Sequence, residues 1–174
     1  APLPYAVVIP ARDEDPAPTV GDLLRQDAPP RRVVVVDDRS EPPVPPFPDP
    51  RVERVRIDHL PAGWLGKVHA LARGLEHLPE DAALVLLTDA DVRFGPGALS
   101  RATAFCRAHR LEHLCLLPDY EDRGGLLEAA IHASEGLLLS GRRAHAVGRP
   151  DSSAYLGLGA FMLVRREALE AAGG

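Results

Sequence analysis

The 174-residue sequence has few or none of several features, and each absence excludes a class of protein or site. Its two cysteines, Cys106 and Cys115, lack the paired spacing of a metal site, so we expect reduced thiols in a cytosolic setting. Its seven histidines follow no HExxH-type pattern and indicate no zinc site of that kind. No apolar run approaches the roughly 20 residues of a membrane span, and no signal peptide is recognisable.

Lysine is also scarce, and acidic residues outnumber basic ones. The formal net charge of −5 argues against a nucleic-acid-binding surface. Of the 20 lysine and arginine residues, only Lys67 is a lysine.

The length and the 45% hydrophobic content suit one globular domain over residues 1–174. Because the sequence starts without methionine and stops at a helix-like EALEAAGG, we expect it to be a fragment of a longer protein.

Short β-branched runs alternate with helical patterns along the chain. We predict strands over Tyr5–Pro10, Arg32–Asp37, Arg51–Ile57, Ala83–Thr88, Leu114–Leu117 and Tyr155–Val164. We predict helices over Thr19–Gln26 with Thr19 as N-cap, from Gly66 to about Leu75, from Gly95-Pro96 to about His109, over Gly124–Gly141 and over Arg165–Ala172. The alternation predicts an α/β domain whose mostly parallel central sheet has helices on both faces.

Acidic residues follow three of the predicted strands, in the segments PARDED (10–15), DDRS (37–40) and TDADV (88–92). In a parallel sheet these loops meet at the carboxyl edge, where ligands bind. Asp89 and Asp91 point the same way in an extended backbone, and a hard divalent cation would relieve their repulsion. The alternative, one aspartate capping the loop and the other solvated, stays open on spacing alone.

Lys67 favours the metal-binding interpretation. It follows Gly66 at the start of a predicted helix, where free N–H groups and the helix dipole attract anions. An ordinary lysine in a first helical turn is the alternative. Taken together, the loops describe a site for a nucleoside diphosphate, with carboxylates for metal and ribose and a cation for phosphate.

Five segments in order, VVIPARDED, VVVVDDRS, GWLGKVHALARGLEH, LLTDADV and GAFMLVRREALEAAGG, resemble the motifs of the family 2 inverting glycosyltransferases. The GWxGK variant is most similar to the branch associated with hopanoid and carotenoid glycolipid genes. The resemblance implies a GT-A type, nucleotide-diphospho-sugar transferase fold that uses Mg²⁺ or Mn²⁺ and a UDP-type sugar donor. It leaves the acceptor open, with a lipid as one candidate. It also leaves open whether the full-length protein lies in the cytoplasm or at the cytoplasmic face of a membrane.

The resemblance also implies roles for individual residues. Pro10 and Arg12 lie where family members contact the nucleotide base, and Glu14 is in the same loop. Asp38 matches the acidic residue that receives the base, and Lys67 lies beside the nucleotide.

For the metal, the resemblance implies Asp91 as the direct ligand and Asp89 as the second carboxylate, nearer the ribose. The family's general base belongs to a later ED-like motif, expected beyond Gly174, so the catalytic residue stays unknown. We therefore expect a domain truncated before the acceptor-binding region, which holds the donor half of the site. Whether the fragment turns over is left open.

The helix predicted over Gly124–Gly141 has two interpretations, a core-facing helix, which we favour, and a helix resting on a membrane surface. Its wide apolar stripe comprises Leu126, Leu127, Ala130, Ile131, Leu137 and Leu138, and its polar stripe comprises Glu128, His132 and Glu135.

Three other functions share some of these features. A phosphoreceiver domain places its lysine after the phosphorylated aspartate, whereas Lys67 precedes Asp89. A nucleotidyltransferase needs a glycine-rich loop after the first strand, and PARDEDPAP contains no glycine. A catalytically incomplete nucleotide-binding module remains a contender.

Overall fold

A computed structural model describes residues 3–119, 125–141, 143–149 and 151–173, with the backbone alone for 126–128. Its six strands form one sheet in the order β3-β2-β1-β4-β6-β5. The strands are β1 (Tyr5–Ala11), β2 (Val33–Asp38), β3 (Val52–Ile57), β4 (Leu84–Leu87), β5 (His113–Cys115) and β6 (Met162–Arg165). Strands β3, β2, β1 and β4 run parallel, whereas β6 runs antiparallel to β4 and to β5. The mostly parallel α/β sheet predicted from the sequence is confirmed.

The helices are α1 (Ala17–Leu24), α2 (Gly66–Leu75), α3 (Ala98–His109), α4 (Gly125–Gly141) and α5 (Arg166–Ala171), with a 3₁₀ turn at Ala144–Ala146. Helices α1 and α3 pack on one face of the sheet and α2 on the other. Successive strand residues face opposite ways, so Val7 and Val35 pack with α1 and α3, while Val8 and Val36 pack with α2. Both faces of β1 and β2 are thus buried, which explains their continuous apolar sequences.

The predicted strand over Tyr155–Val164 is wrong for most of its length. Residues 155–161 form no strand, and β6 covers only Met162–Arg165. Gly157 and Gly159 allow this segment to approach the sheet with its backbone, because neither carries a side chain that would fill the space. A Cβ on Gly157 would lie 3.1 Å from the sulfur of Met162.

Two predicted helix starts are also wrong. Thr19 lies inside α1, and its hydroxyl donates to the carbonyl of Ala90 at 2.5 Å, so tertiary contact replaces the predicted capping role. Pro96 precedes α3 by two residues, and Gly97, with a φ of 69°, is the N-cap residue. The left-handed backbone there suits glycine and lets the chain turn into the helix. The short β5 starts at His113, one residue before the predicted strand, and ends at Cys115.

The interpretation of α4 as a core-facing helix is wrong for the side chains that the structure describes. Leu137 and Leu138 are 76% and 44% exposed. The predicted start at Gly124 and the side chains of Leu126, Leu127 and Glu128 lie outside the described residues. Contact of α4 with a membrane surface stays a prediction. Within the described part of the chain, no helix has both the length and the apolar character needed to cross a bilayer.

Candidate active site

A cleft of about 400 Å³ opens at the carboxyl edge of β1, β2 and β4. It is lined by Pro10, Ala11, Arg12, Glu14, Asp38, Gly66, Lys67, Ala70, Asp89 and Asp91. This lining includes all seven residues singled out from the sequence. They come from four separate segments, which meet because β1, β2 and β4 are parallel neighbours and α2 packs beside their ends. Their individual roles stay predictions.

Asp37, the first aspartate of the DDRS segment, organises the loop after β2. Its buried carboxylate accepts hydrogen bonds from the Ser40 amide at 2.9 Å, the Val44 amide at 3.2 Å and the Arg56 guanidinium at 2.7 Å. Burial raises the pKa of Asp37, but the bonds from Ser40, Arg56 and Val44 outweigh that effect and lower it. Asp37 therefore holds the loop in shape and is not available to a ligand.

Asp38 points the other way and lines the cleft, as expected from alternation along a strand. Its side chain is only 6% exposed, and one carboxylate oxygen, Oδ1, accepts a 2.9 Å hydrogen bond from Nε of Arg39. The other oxygen, Oδ2, faces Gly66, where a Cβ would come within 2.8 Å of it. Gly66 thus leaves room for Asp38 at the start of α2.

Lys67, in the first turn of α2, donates a hydrogen bond to Asp89 just beyond β4. Gly159 lies against this ion pair, since its Cβ would be 2.6 Å from the Lys67 ammonium and 3.2 Å from an Asp89 oxygen. The glycine-containing segment that replaces the expected strand therefore forms a wall of the site.

Helix α1 holds the turn that carries Asp89 and Asp91, a role not predicted from the sequence. The Asp22 carboxylate accepts from Nε of Arg93 at 2.6 Å and from the Phe94 amide at 3.2 Å. The hydrogen bond from Arg93 lowers the pKa of Asp22. Gln26, one turn further on, donates to the Gly95 carbonyl at 3.1 Å. The available signal was the spacing of Asp22 and Gln26, four residues apart within the helix predicted over Thr19–Gln26, which places them on the same side as Thr19.

The charges in the cleft suit a divalent cation. Partial burial raises the pKa of Glu14, and the charges of Asp91 and Asp89 raise it further, while Lys67 lowers it. Among the described residues, no group of three or more histidine, cysteine or acidic side chains is arranged to enclose a metal ion. A donor set of two carboxylates fits Mg²⁺, which completes its shell with water and substrate phosphates.

A second cavity of about 680 Å³ adjoins the cleft and shares Lys67, Asp89 and Asp91 with it. Most of the other lining residues have apolar side chains, and they come from segments 92–95, 116–119 and 158–161 together with Ala98. Two ligand portions could therefore meet at the shared acidic pair, one in each cavity.

The family model described as "Glycosyl transferase family 2" matches residues 6–173. The chain therefore belongs to glycosyl transferase family 2, and the glycosyltransferase class predicted from its motifs is confirmed. A search of curated proteins found no match.

Two solved structures with TM-scores above 0.5 support the GT-A type of fold. Staphylococcus aureus TarS 1–349 in complex with UDP-GlcNAc is 19% identical, with a TM-score of 0.53, covering 71% of this chain and 36% of that one. S. aureus TarS is 18% identical, with a TM-score of 0.51, covering 71% and 23%. A mycobacterial protein is 20% identical, with a TM-score of 0.49, covering 95% and 54%. The chain thus spans well under half the length of the TarS structures.

Proposed function

We propose that this domain binds the nucleotide-sugar donor, of UDP type, of an inverting, metal-dependent glycosyltransferase. The observation that carries the proposal is that Pro10, Arg12, Glu14, Asp38, Lys67, Asp89 and Asp91 all line one cleft at the carboxyl edge of the parallel strands. The UDP-GlcNAc complex of TarS supports a uridine nucleotide as the ligand.

Each part of the cleft has a proposed task. Pro10, Arg12 and Asp38 contact the base, and Asp89 lies nearer the ribose. Asp91, with Asp89, would hold Mg²⁺ or Mn²⁺. When bound, the cation would neutralise the negative charge that develops on the departing diphosphate.

Lys67 has two partners in this proposal. With no nucleotide in the cleft it pairs with Asp89, and with a nucleotide bound its ammonium donates to a phosphate oxygen. Because the Lys67 side chain is half exposed, it can reorient between the two at little cost.

Inverting transfer needs a general base that takes the proton of the acceptor hydroxyl. No residue of this chain is assigned that task. The adjoining cavity is the proposed acceptor side, because it meets the donor cleft at Lys67, Asp89 and Asp91. The hopanoid- and carotenoid-associated branch, a lipid acceptor and a location at the cytoplasmic face of a membrane stay predictions.

Calorimetry with UDP tests the proposal directly. We expect the wild-type chain to bind UDP with Mn²⁺ or Mg²⁺ and to lose most of that affinity in EDTA. Asp91→Ala should weaken the metal-dependent binding at least tenfold. Asp81→Ala, at an exposed aspartate preceding β4, is the matched control and should leave the affinity for UDP and its dependence on metal unchanged. Equal binding with and without metal would contradict the proposal.

The contending function is a nucleotide-binding module that lacks turnover. Donor hydrolysis by this chain, compared with hydrolysis by a chain extended beyond Gly174, separates the two. Hydrolysis by the longer chain alone would make the present chain a binding module, whereas hydrolysis by both would make it catalytically competent.

A further inference from the structure

We infer that Thr88 is a positioning residue for the donor site, because its hydroxyl holds segment 158–161 against the ion pair of Lys67 and Asp89. The inference rests on the proposed function and deepens it, since it names what keeps those two charged groups in place. The resemblance to family 2 gives Thr88 no role. Thr88 contacts no ligand in this inference and acts only through the backbone of segment 158–161.

The hydrogen bond of Thr88 is the first observation. Thr88 directly follows β4, precedes Asp89 and is fully buried. Its hydroxyl donates to the carbonyl of Ala160 at 2.6 Å, across 72 residues of sequence. The register of β4 with the antiparallel β6 ends at Leu87 and Met162. The hydroxyl therefore attaches the segment before β6 at the point where the pairing of the two strands stops.

The position of Gly159, next to Ala160, is the second observation. A Cβ on Gly159 would lie 2.6 Å from the Lys67 ammonium and 3.2 and 3.4 Å from the two carboxylate oxygens of Asp89. The backbone of the segment is thus close to both members of the ion pair. Because Ala160 and Gly159 are adjacent, a shift of the Ala160 carbonyl would carry Gly159 away from the pair.

The two ends of the segment are held from the other side, at β5. The Leu158 amide donates to the sulfur of Cys115 at 3.2 Å, and the Leu116 amide donates to the Phe161 carbonyl at 3.3 Å. The bond from Thr88 holds the part between these ends, beside Asp89. Since residues 158–161 also line the adjoining cavity, Thr88 fixes a wall where the two cavities meet.

A fixed wall should favour binding because it limits the positions of the charged groups. Without the Thr88 hydroxyl, the Ala160 carbonyl loses its partner and the segment can move away from the ion pair. Lys67 and Asp89 would then take more positions and would have to be ordered when nucleotide and metal bind. Ordering flexible side chains on binding lowers the affinity, even though both side chains are unchanged.

The test is calorimetric titration with UDP in saturating Mn²⁺, well below the thermal midpoint of every variant. Thr88→Val keeps a branched side chain and loses the donor, and we expect UDP to bind at least about threefold more weakly. Thr88→Ser keeps the hydroxyl and should recover most of the affinity. Should Thr88→Val unfold, Thr88→Ala takes its place with the same expected loss.

Thr103→Val is the matched control. Thr103 is also fully buried, but its hydroxyl donates at 3.2 Å to the Ser100 carbonyl within α3. Its loss removes a buried hydroxyl without releasing the wall, so the affinity for UDP should stay as in wild type.

A double-mutant cycle with Gly159→Ala distinguishes positioning from a general loss of stability. In the wild-type background the new methyl group pushes on the Lys67 ammonium. In the Thr88→Val background the released segment can move back, so Gly159→Ala should weaken UDP binding by less than about twofold. Independent effects would instead multiply.

Unchanged UDP affinity in folded Thr88→Val or Thr88→Ala would overturn the role of Thr88, and so would losses that multiply in the double variant. Failure of the wild-type chain to bind UDP would instead overturn the proposed function.

Discussion

Lys67, in the first turn of α2, is ion-paired with Asp89 at the end of β4, 22 residues further along the chain. The pair joins the cation proposed for the phosphate to a carboxylate proposed for the metal. Phosphate and metal therefore each compete with a contact that already exists within the protein.

Lys67→Gln should separate the two kinds of binding. Without the ammonium, UDP should bind about tenfold more weakly in the presence of Mn²⁺, because a charge-assisted contact to phosphate is lost. Mn²⁺ alone should bind no more weakly, because Asp89 is released from its partner. Calorimetry with UDP and a separate titration with Mn²⁺ measure the two affinities.

Lys67→Arg serves as the control for charge and should keep most of the affinity for UDP. A Lys67→Gln variant that lost Mn²⁺ binding and kept UDP binding would contradict the assigned roles.

Gly159→Ala should disturb this pair without unfolding the domain. The new Cβ would lie 2.6 Å from the Lys67 ammonium, which is at the end of a flexible side chain and can move. We expect several-fold weaker UDP binding and a change of less than about 0.5 kcal/mol in the free energy of unfolding. Urea denaturation and calorimetry check the two quantities.

Gly136→Ala is the matched control, since a Cβ there meets no described atom within 4 Å. It should leave UDP binding as it is. A loss of stability in Gly159→Ala comparable with its loss of binding would show that the segment supports the fold and not the ion pair.

Asp22→Asn should weaken the hold of α1 on the Asp89–Asp91 turn. The variant loses the charge that pairs with Arg93, in a side chain that is 10% exposed. We expect a loss of about 1–3 kcal/mol in the free energy of unfolding at neutral pH, together with weaker Mn²⁺ binding. Asp27→Asn, at an exposed aspartate whose carboxylate accepts from the Ser100 hydroxyl and the Ala28 amide and from no arginine that the structure describes, should cost less than about 0.5 kcal/mol.

The effect of Asp22→Asn should depend on pH in a defined direction. Because the folded-state pKa of Asp22 lies below its ordinary 3.8, its stabilising contribution is present above pH 3.8 and is lost as pH falls through the lowered value. The difference between wild type and variant should shrink over the same range. A difference independent of pH would count against the ion pair with Arg93.

Glu14 should make metal binding sensitive to pH. Its pKa is raised above 4.5, so its charge appears only as pH rises through that higher value. Ionised Glu14 adds negative charge near the proposed cation site, and the cation in turn favours loss of its proton. Mn²⁺ affinity should therefore increase with pH above 4.5.

Glu14→Gln should flatten that increase, and Glu80→Gln, at an exposed glutamate outside the cleft lining, should not. Mn²⁺ titrations at several pH values measure the slopes. Identical slopes in wild type and Glu14→Gln would exclude the proton of Glu14 from the binding equilibrium.

Local pattern was enough to predict much of this protein. The apolar β-branched runs of β1, β2 and β4 require burial on both faces, which leads to a parallel sheet with helices on each side. Once the sheet is parallel, the acidic segments after those strands must meet at one edge. The sequence by itself therefore determined that the acidic segments 10–15, 37–40 and 88–92 meet at one cleft, and the resemblance to family 2 singled out the residues within them.

Other features depended on contacts between distant parts of the chain. The hydroxyl of Thr19 bonds to Ala90, 71 residues away, so a residue with the local character of an N-cap became part of the site's support. Segment 155–161 has the composition of a strand, but Gly159 lets its backbone pack against Lys67 and Asp89 instead. Spacing along the chain indicates the periodicity of a helix or strand and the positions of turns. The contact partners of distant residues depend instead on how the packed helices and strands fit together. Only the tertiary structure decided that Asp37 anchors the loop after β2 and which cation Asp89 meets.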